Sequence, residues 1–194
     1  MPSPESGDTA HLTSAASMRV LAHPTRLRLL GLLRERGPQT AALLGDIVDE
    51  APGTVSYHLA KLASIGLIQE AADMGTDRRE RWWRSSHALT SWEPADLLGD
   101  PAALAASTAL QRAVVQIYAA NFTQYLDTVP VLPSDWVRAA PSSDRGLRLT
   151  VTELAELRKE LEVVTEKFLA ISATHTEADG SERVSLVYQA YRTP

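Results

Sequence analysis

The sequence predicts a mainly α fold with a small β component: a compact N-terminal module of short helices and a hairpin, then an α-rich C-terminal region with a long helix and a small sheet. Three observations carry this. Between residues 13 and 64, leucine-rich stripes at three-to-four spacing recur in short segments separated by helix breakers. An Arg- and Trp-rich run, Arg78 to Arg84, returns after a turn from a short apolar stretch. From Asp96 onward the Arg-rich character gives way to Ala-rich helix. With 194 residues, 44% hydrophobic and 22% charged, the chain is long enough for one or two packed domains and too apolar for wholesale disorder. The expected division is a disordered N-terminus (1–12), a first domain (13–92) and a second (96–194).

The first stripe runs from about Thr13 to Leu21 and stops at His23-Pro24, because the residue before proline is pushed out of the helical region. Pro24 suits the first turn of a second helix, whose Leu27, Leu30 and Leu33 continue to the terminator Gly37-Pro38. Thr40 caps a short third helix carrying Leu43, Leu44 and Ile47. After an acidic turn (Asp49, Glu50), Pro52 opens a fourth helix reaching about Ser64. On a helical wheel Val55, Leu59, Leu62 and Gly66 fall together toward the core. The opposite face carries Gly53, Ser56, Tyr57, Ala60 and Ser64, with Thr54 and Lys61 at its edge and no carboxylate, a surface suited to close approach. Leu67 to Ala71 reads as a strand, Asp73 to Asp77 as a turn, and Arg78 to Arg84 as the returning strand. A helix-turn-helix followed by a basic hairpin is a winged helix.

The segments Leu21-Ala22-His23-Pro24-Thr25-Arg26-Leu27-Arg28-Leu29-Leu30, Thr54-Val55-Ser56-Tyr57-His58-Leu59-Ala60-Lys61-Leu62 and Gly66-Leu67-Ile68 resemble the ArsR-type winged helix-turn-helix transcriptional regulators, over about Ser14 to Ser86. The resemblance implies a homodimeric, sequence-specific transcription factor, a repressor reading a palindromic operator in double-stranded DNA. Helix 52–64 would enter the major groove and the 72–84 hairpin would serve as the wing. Ser56 and Tyr57 are assigned to base readout, since hydroxyl and aromatic groups contact base edges and thymine methyls there. Thr54, Lys61 and Thr40 are assigned to phosphates, through side chains and helix N-terminal amides. His58, at the edge of the buried face, reads first as a packed histidine and second as a phosphate contact. Arg78, Arg79 and Arg81 are wing contacts to the backbone or minor groove, and at least one of Trp82 and Trp83 belongs to the core. Two residues depart from the family pattern: Glu50 stands where an apolar residue is usual, and Ala51 replaces the customary hydroxyl cap. Both point to modest, strongly salt-dependent affinity. A protein-interaction module that keeps the winged helix without specific DNA binding is the alternative.

The formal charge of −5 is unevenly spread. His23 to Arg84 holds nine basic and eight acidic residues, net +1, and the remainder ten and sixteen, net −6. The acidity therefore lies outside the candidate DNA-binding block. Absence of cysteine removes disulfide scaffolds and thiolate metal sites and points to the cytoplasm. The five histidines (His11, His23, His58, His87, His175) form no pair at ligand spacing, so neither metal sensing nor a cofactor is expected. No nucleophile elbow, phosphate-binding Gly loop or HExxH helix is present, which argues against an enzyme. No run approaches the length of a spanning helix, and the N-terminus lacks the order of a signal peptide.

In the second half, Asp100-Pro101 is an N-cap and first-turn proline opening a helix to about Asp127, roughly 40 Å long. Gly146 to Leu149 reads as a small strand. Thr150 and Glu153 have capping-box spacing at the start of a helix whose Leu154, Leu157, Leu161, Val164, Phe168 and Ile171 form a packing seam. Val184 to Tyr191 alternates as a half-buried strand. Two roles suit this region. Ala15, Val20 and the helix from Pro101 would pack against a second copy; and Tyr118, Phe122, Tyr125, Trp136 and Tyr188 would line an apolar pocket for a small-molecule effector, or belong to plain core.

Overall fold

The computed structural model describes residues 9–74, 81–176 and 178–193. It divides inside the longest helix, one compact unit ending at Leu126 and another beginning at Asp127. In the first unit, β1 (Thr9–His11) precedes α1 (Ala15–Leu21), α2 (Pro24–Arg36), β2 (Gln39–Thr40), α3 (Ala41–Val48), α4 (Pro52–Ala63), β3 (Ile68–Glu70), β4 (Trp82–Ser85) and β5 (Leu89–Ser91). A 3₁₀ turn (Pro94–Leu97) then leads to α5 (Pro101–Thr128), which runs past the division. The later unit holds a 3₁₀ turn (Val129–Val131), α6 (Ser134–Ala139) and α7 (Val151–Ser172).

Each helix of the first unit starts where local chemistry dictates. The Ser14 hydroxyl accepts the Ser17 N–H at 3.1 Å to cap α1. His23 caps α2 through Nδ1, which accepts the Thr25 N–H at 3.2 Å, and Gly37 ends that helix at φ 73°, a conformation open to glycine. Asp100 Oδ1 accepts the N–H groups of Ala102 and Ala103, the cap expected for α5.

β3 pairs antiparallel with β4 so that Gln69 lies opposite Arg84, while most of the expected turn and the start of the returning strand, residues 75–80, lie outside the described residues. Two pairings are additional. β2 adds to the other side of β4, and β1 runs parallel to β5. Thr9–His11 thus forms a strand inside the stretch expected to be disordered, and Leu12 is buried beside it, its N–H donating to Ser91 O at 2.9 Å. Strands of two or three residues are too short to show alternation, and their partners lie far along the chain. The rest of that stretch, residues 1–8, lies outside the described residues.

Met18, Leu21, Leu29, Leu33, Leu44, Val55, Leu59 and Leu62 form one cluster with almost no exposed surface. The front half of α5 belongs to it: Ala103, Ala106, Ser107, Leu110 and Ala113 are buried. The first unit thus extends along α5 as far as Leu126, small residues at three-to-four spacing bringing this helix close to the N-terminal core. Beyond Ala113 the apolar side chains Val115, Tyr118, Phe122 and Leu126 are exposed.

Within the later unit, α7 opens with the expected capping box. The Thr150 N–H donates to Glu153 Oε2 at 2.7 Å and the Glu153 N–H to Thr150 Oγ1 at 3.3 Å. These bonds hold the Glu153 carboxyl below its usual range. Of the α7 seam, Leu154, Leu157 and Leu161 are half-buried and Val164, Phe168 and Ile171 exposed. The strands expected at 146–149 and 184–191 do not form; both segments are irregular and exposed. Alternation marks which face a strand would bury but supplies no partner, and without a ladder the backbone has no reason to stay extended.

Candidate nucleic-acid interface

The geometry of α3 and α4 rests on the turn between them. Thr40 Oγ1 accepts the Leu43 N–H at 3.3 Å to cap α3, and the helix ends at Asp49, which is left-handed at φ 58° and donates its N–H to Gly45 O. Glu50 donates to the same carbonyl at 3.1 Å. A Cβ at Gly45 would stand 2.6 Å from Glu50 O, so the tight turn requires glycine there. Pro52 then starts α4 with no side-chain cap from Ala51, as its residue type implies.

Val55, Leu59 and Leu62 fix the inner face of α4, each fully buried. Gly53, Thr54, Ser56, Tyr57, Ala60 and Lys61 are all exposed on the other side, Tyr57 at 57%. Lys61 Nζ lies 5.6 Å from the Tyr57 ring centroid, a cation above an aromatic face. Thr40 differs from its surface neighbours: it is 6% exposed and its hydroxyl caps α3, so any phosphate contact there falls to the first-turn amides. His58 is also 6% exposed, with Nδ1 buried and without a hydrogen-bond partner. Its ring lies 4.6 Å from that of His23 and 5.4 Å from Tyr57.

On the hairpin, Arg81 Nε lies 3.1 Å from Glu70 Oε1, and its guanidinium sits over the Trp83 ring at 5.6 Å. Arg84 pairs with Asp73. Trp83 is the buried tryptophan and Trp82 is half-buried. Arg78 and Arg79, at the expected wing tip, lie outside the described residues. On α5, Phe122 and Tyr125 stack at 5.8 Å, and Tyr118 is exposed. Trp136 on α6 and Tyr188 are exposed too. An open groove of about 740 Å³ in the first unit is lined by Ala22, Pro24, Leu104, Thr108 and Arg112, among others, and by none of these aromatics.

Residues 21–70, from the last residue of α1 to the end of β3, match the family model of a helix-turn-helix domain. Within this segment, α3, its turn and α4 have the helix-turn-helix fold. A double mutant of Lactococcus lactis ZitR in its apo form is similar at 20% sequence identity, over 76% of this chain and 83% of that one, with a TM-score of 0.33. A second structure of that mutant is similar at 20% identity, over 75% of each chain, with a TM-score of 0.32. No curated protein matches the chain. Among the described residues, no helix is long and apolar enough to cross a membrane.

The helix-turn-helix domain brings together residues that periodicity alone does not join. The ring of His23, the cap of α2, packs against His58 of α4, and Arg26 of α2 acts on His58 electrostatically; neither His23 nor Arg26 stands out in sequence as part of a site. Burial lowers the His58 pKa below the ordinary histidine value, reinforced by His23 and Arg26 and opposed by Glu50. The folded domain thus favours neutral His58 while the unfolded chain binds the proton first. Its contribution to stability is complete above about pH 6.5 and is lost as pH falls through the lower folded value. His58→Gln is expected to flatten the acid side of the thermal-midpoint profile. An acid slope identical to wild type would show that His58 is not the group responsible.

Proposed function

We propose that this chain is a sequence-specific DNA-binding transcriptional regulator: a homodimeric repressor that reads a palindromic operator with α4 in the major groove and the β3–β4 hairpin as wing. The observation that carries the reading is α4 itself, whose inner face is locked into the core while its outer face offers exposed hydroxyls, one aromatic, one lysine and no carboxylate. A major groove admits such a helix, and small residues let it approach the base edges. Ser56 and Tyr57 read bases; Thr54 and Lys61 hold phosphates. The first-turn N–H groups of α4, which lack a side-chain cap, are donors for a phosphate oxygen. Arg81, and beyond the described residues Arg78 and Arg79, complete the wing.

Exposed Val115, Tyr118, Phe122 and Leu126 on α5 support pairing with a second copy, which would set the spacing of two α4 helices on a two-fold operator. Tyr118, Phe122 and Tyr125, together on α5, are the proposed contacts for an apolar effector. Selection from a random duplex pool, followed by titration at two salt concentrations, tests the central claim. The expected product is a palindrome bound with a steep salt slope. Tyr57→Ala should then relax preference at one position per half-site by about 1–3 kcal/mol, read from single-base variants of the operator. An unenriched pool would point instead to a winged helix that binds a protein partner.

A further inference from the structure

Arg26 is a cation that the contacts described above leave unused. It is the third residue of α2, in a first turn with no acidic residue, so a positive charge sits at the positive end of the helix dipole. It is partly buried, its Nε is enclosed without a hydrogen-bond partner, and no carboxylate of the described residues pairs with it. The Thr25 N–H is taken by His23 Nδ1 and the Leu27 N–H by His23 O, which leaves the Arg26 N–H as the open donor of that turn. A desolvated guanidinium with these neighbours is costly in the free protein and is relieved by an anion.

The location of this turn identifies the anion. The ring of the α2 cap, His23, packs 4.6 Å from that of His58 at the middle of α4, and Tyr57, next to His58, is near enough to act electrostatically on Arg26. His58 is itself more than nine-tenths buried with an unpartnered Nδ1, and its ring packs on the cap of this turn. The charged and titratable groups around it are His23 and Arg26 from α2, Glu50 from the α3–α4 turn, and Tyr57 on its own helix. The cap of α2 therefore lies beside the middle of α4, next to Tyr57 of its exposed face, where the strand flanking an inserted recognition helix would pass.

We propose that Arg26 is a phosphate clamp, seating one backbone phosphate of the duplex whose major groove α4 enters, with the Arg26 N–H as second donor. This rests on the DNA-binding reading and adds a contact to it. The guanidinium fork suits a phosphate better than a lysine point charge does, and the contact carries no base preference.

The test uses the full chain, the duplex enriched by selection and a scrambled duplex of equal length. In Arg26→Gln, with folding verified by thermal unfolding, the slope of log affinity against log salt is expected to fall by about 0.9, equally on both duplexes. Arg26→Lys should keep the slope and bind more weakly. Should Arg26→Gln fail to fold, the wild-type Nε–H signal of Arg26, assigned by its loss in Arg26→Lys, is expected to shift when duplex is added. An unchanged slope in folded Arg26→Gln, or an unshifted Nε–H signal, overturns the clamp while leaving DNA binding intact. A wild-type chain that binds neither duplex overturns both.

Discussion

Leu59→Ala is expected to destabilise the helix-turn-helix domain by about 2–5 kcal/mol, the cost of lost burial plus the cavity left behind. Leu59 has no exposed surface and lies on the inner face of α4 between Val55 and Leu62, in the cluster that also holds α1, α2 and the front of α5. That cluster draws its side chains from separate elements, so the site has little freedom to collapse around a smaller side chain. Denaturant unfolding would read the effect as a lower midpoint at unchanged slope. Ala60→Ser, one residue on and exposed, should stay within about 0.5 kcal/mol of wild type. Equal small effects at both positions would mean that α4 is not held by the face assigned to the core.

Gly45→Ala is expected to damage stability and DNA binding together. The added methyl would stand 2.6 Å from Glu50 O, a backbone atom that moves only if the α3–α4 turn opens. That turn is also bound through Gly45 O, which accepts from Asp49 and Glu50. The steric cost is about 1–3 kcal/mol, and relief of it rotates or shifts the start of α4. Duplex affinity should therefore drop by more than the change in folded fraction explains, with thermal unfolding and binding isotherms measured on the same preparation. A variant with lower stability but wild-type affinity would show that the turn is not what aims α4.

Much of the site was legible because its signals are local. Thr40 as cap, Pro52 as first-turn residue, the Val55–Leu59–Leu62 stripe and the carboxylate-free opposite face all follow from residues within one or two turns of each other. The same holds for the Thr150–Glu153 capping box and for Asp100 at the start of α5. Segment 184–191 shows where such reasoning fails, since its alternation is that of a strand and yet no ladder forms. Thr40 shows a second limit: the residue type suits a phosphate contact, while its hydroxyl is engaged in capping and its side chain is enclosed.

The sequence by itself determined the order and limits of the N-terminal helices, the faces they bury and the unacidic surface of α4. Caps, breakers and periodicity act over a few residues, so they are written in adjacent positions. Only the tertiary structure decided that β1 pairs with β5, that β2 joins β4, that the front of α5 belongs to the first core, and that the His23 ring packs on that of His58 beside Tyr57. Those outcomes join residues distant in the chain, and each depends on which apolar surfaces, once folded, are left to be covered and which polar groups the resulting packing encloses.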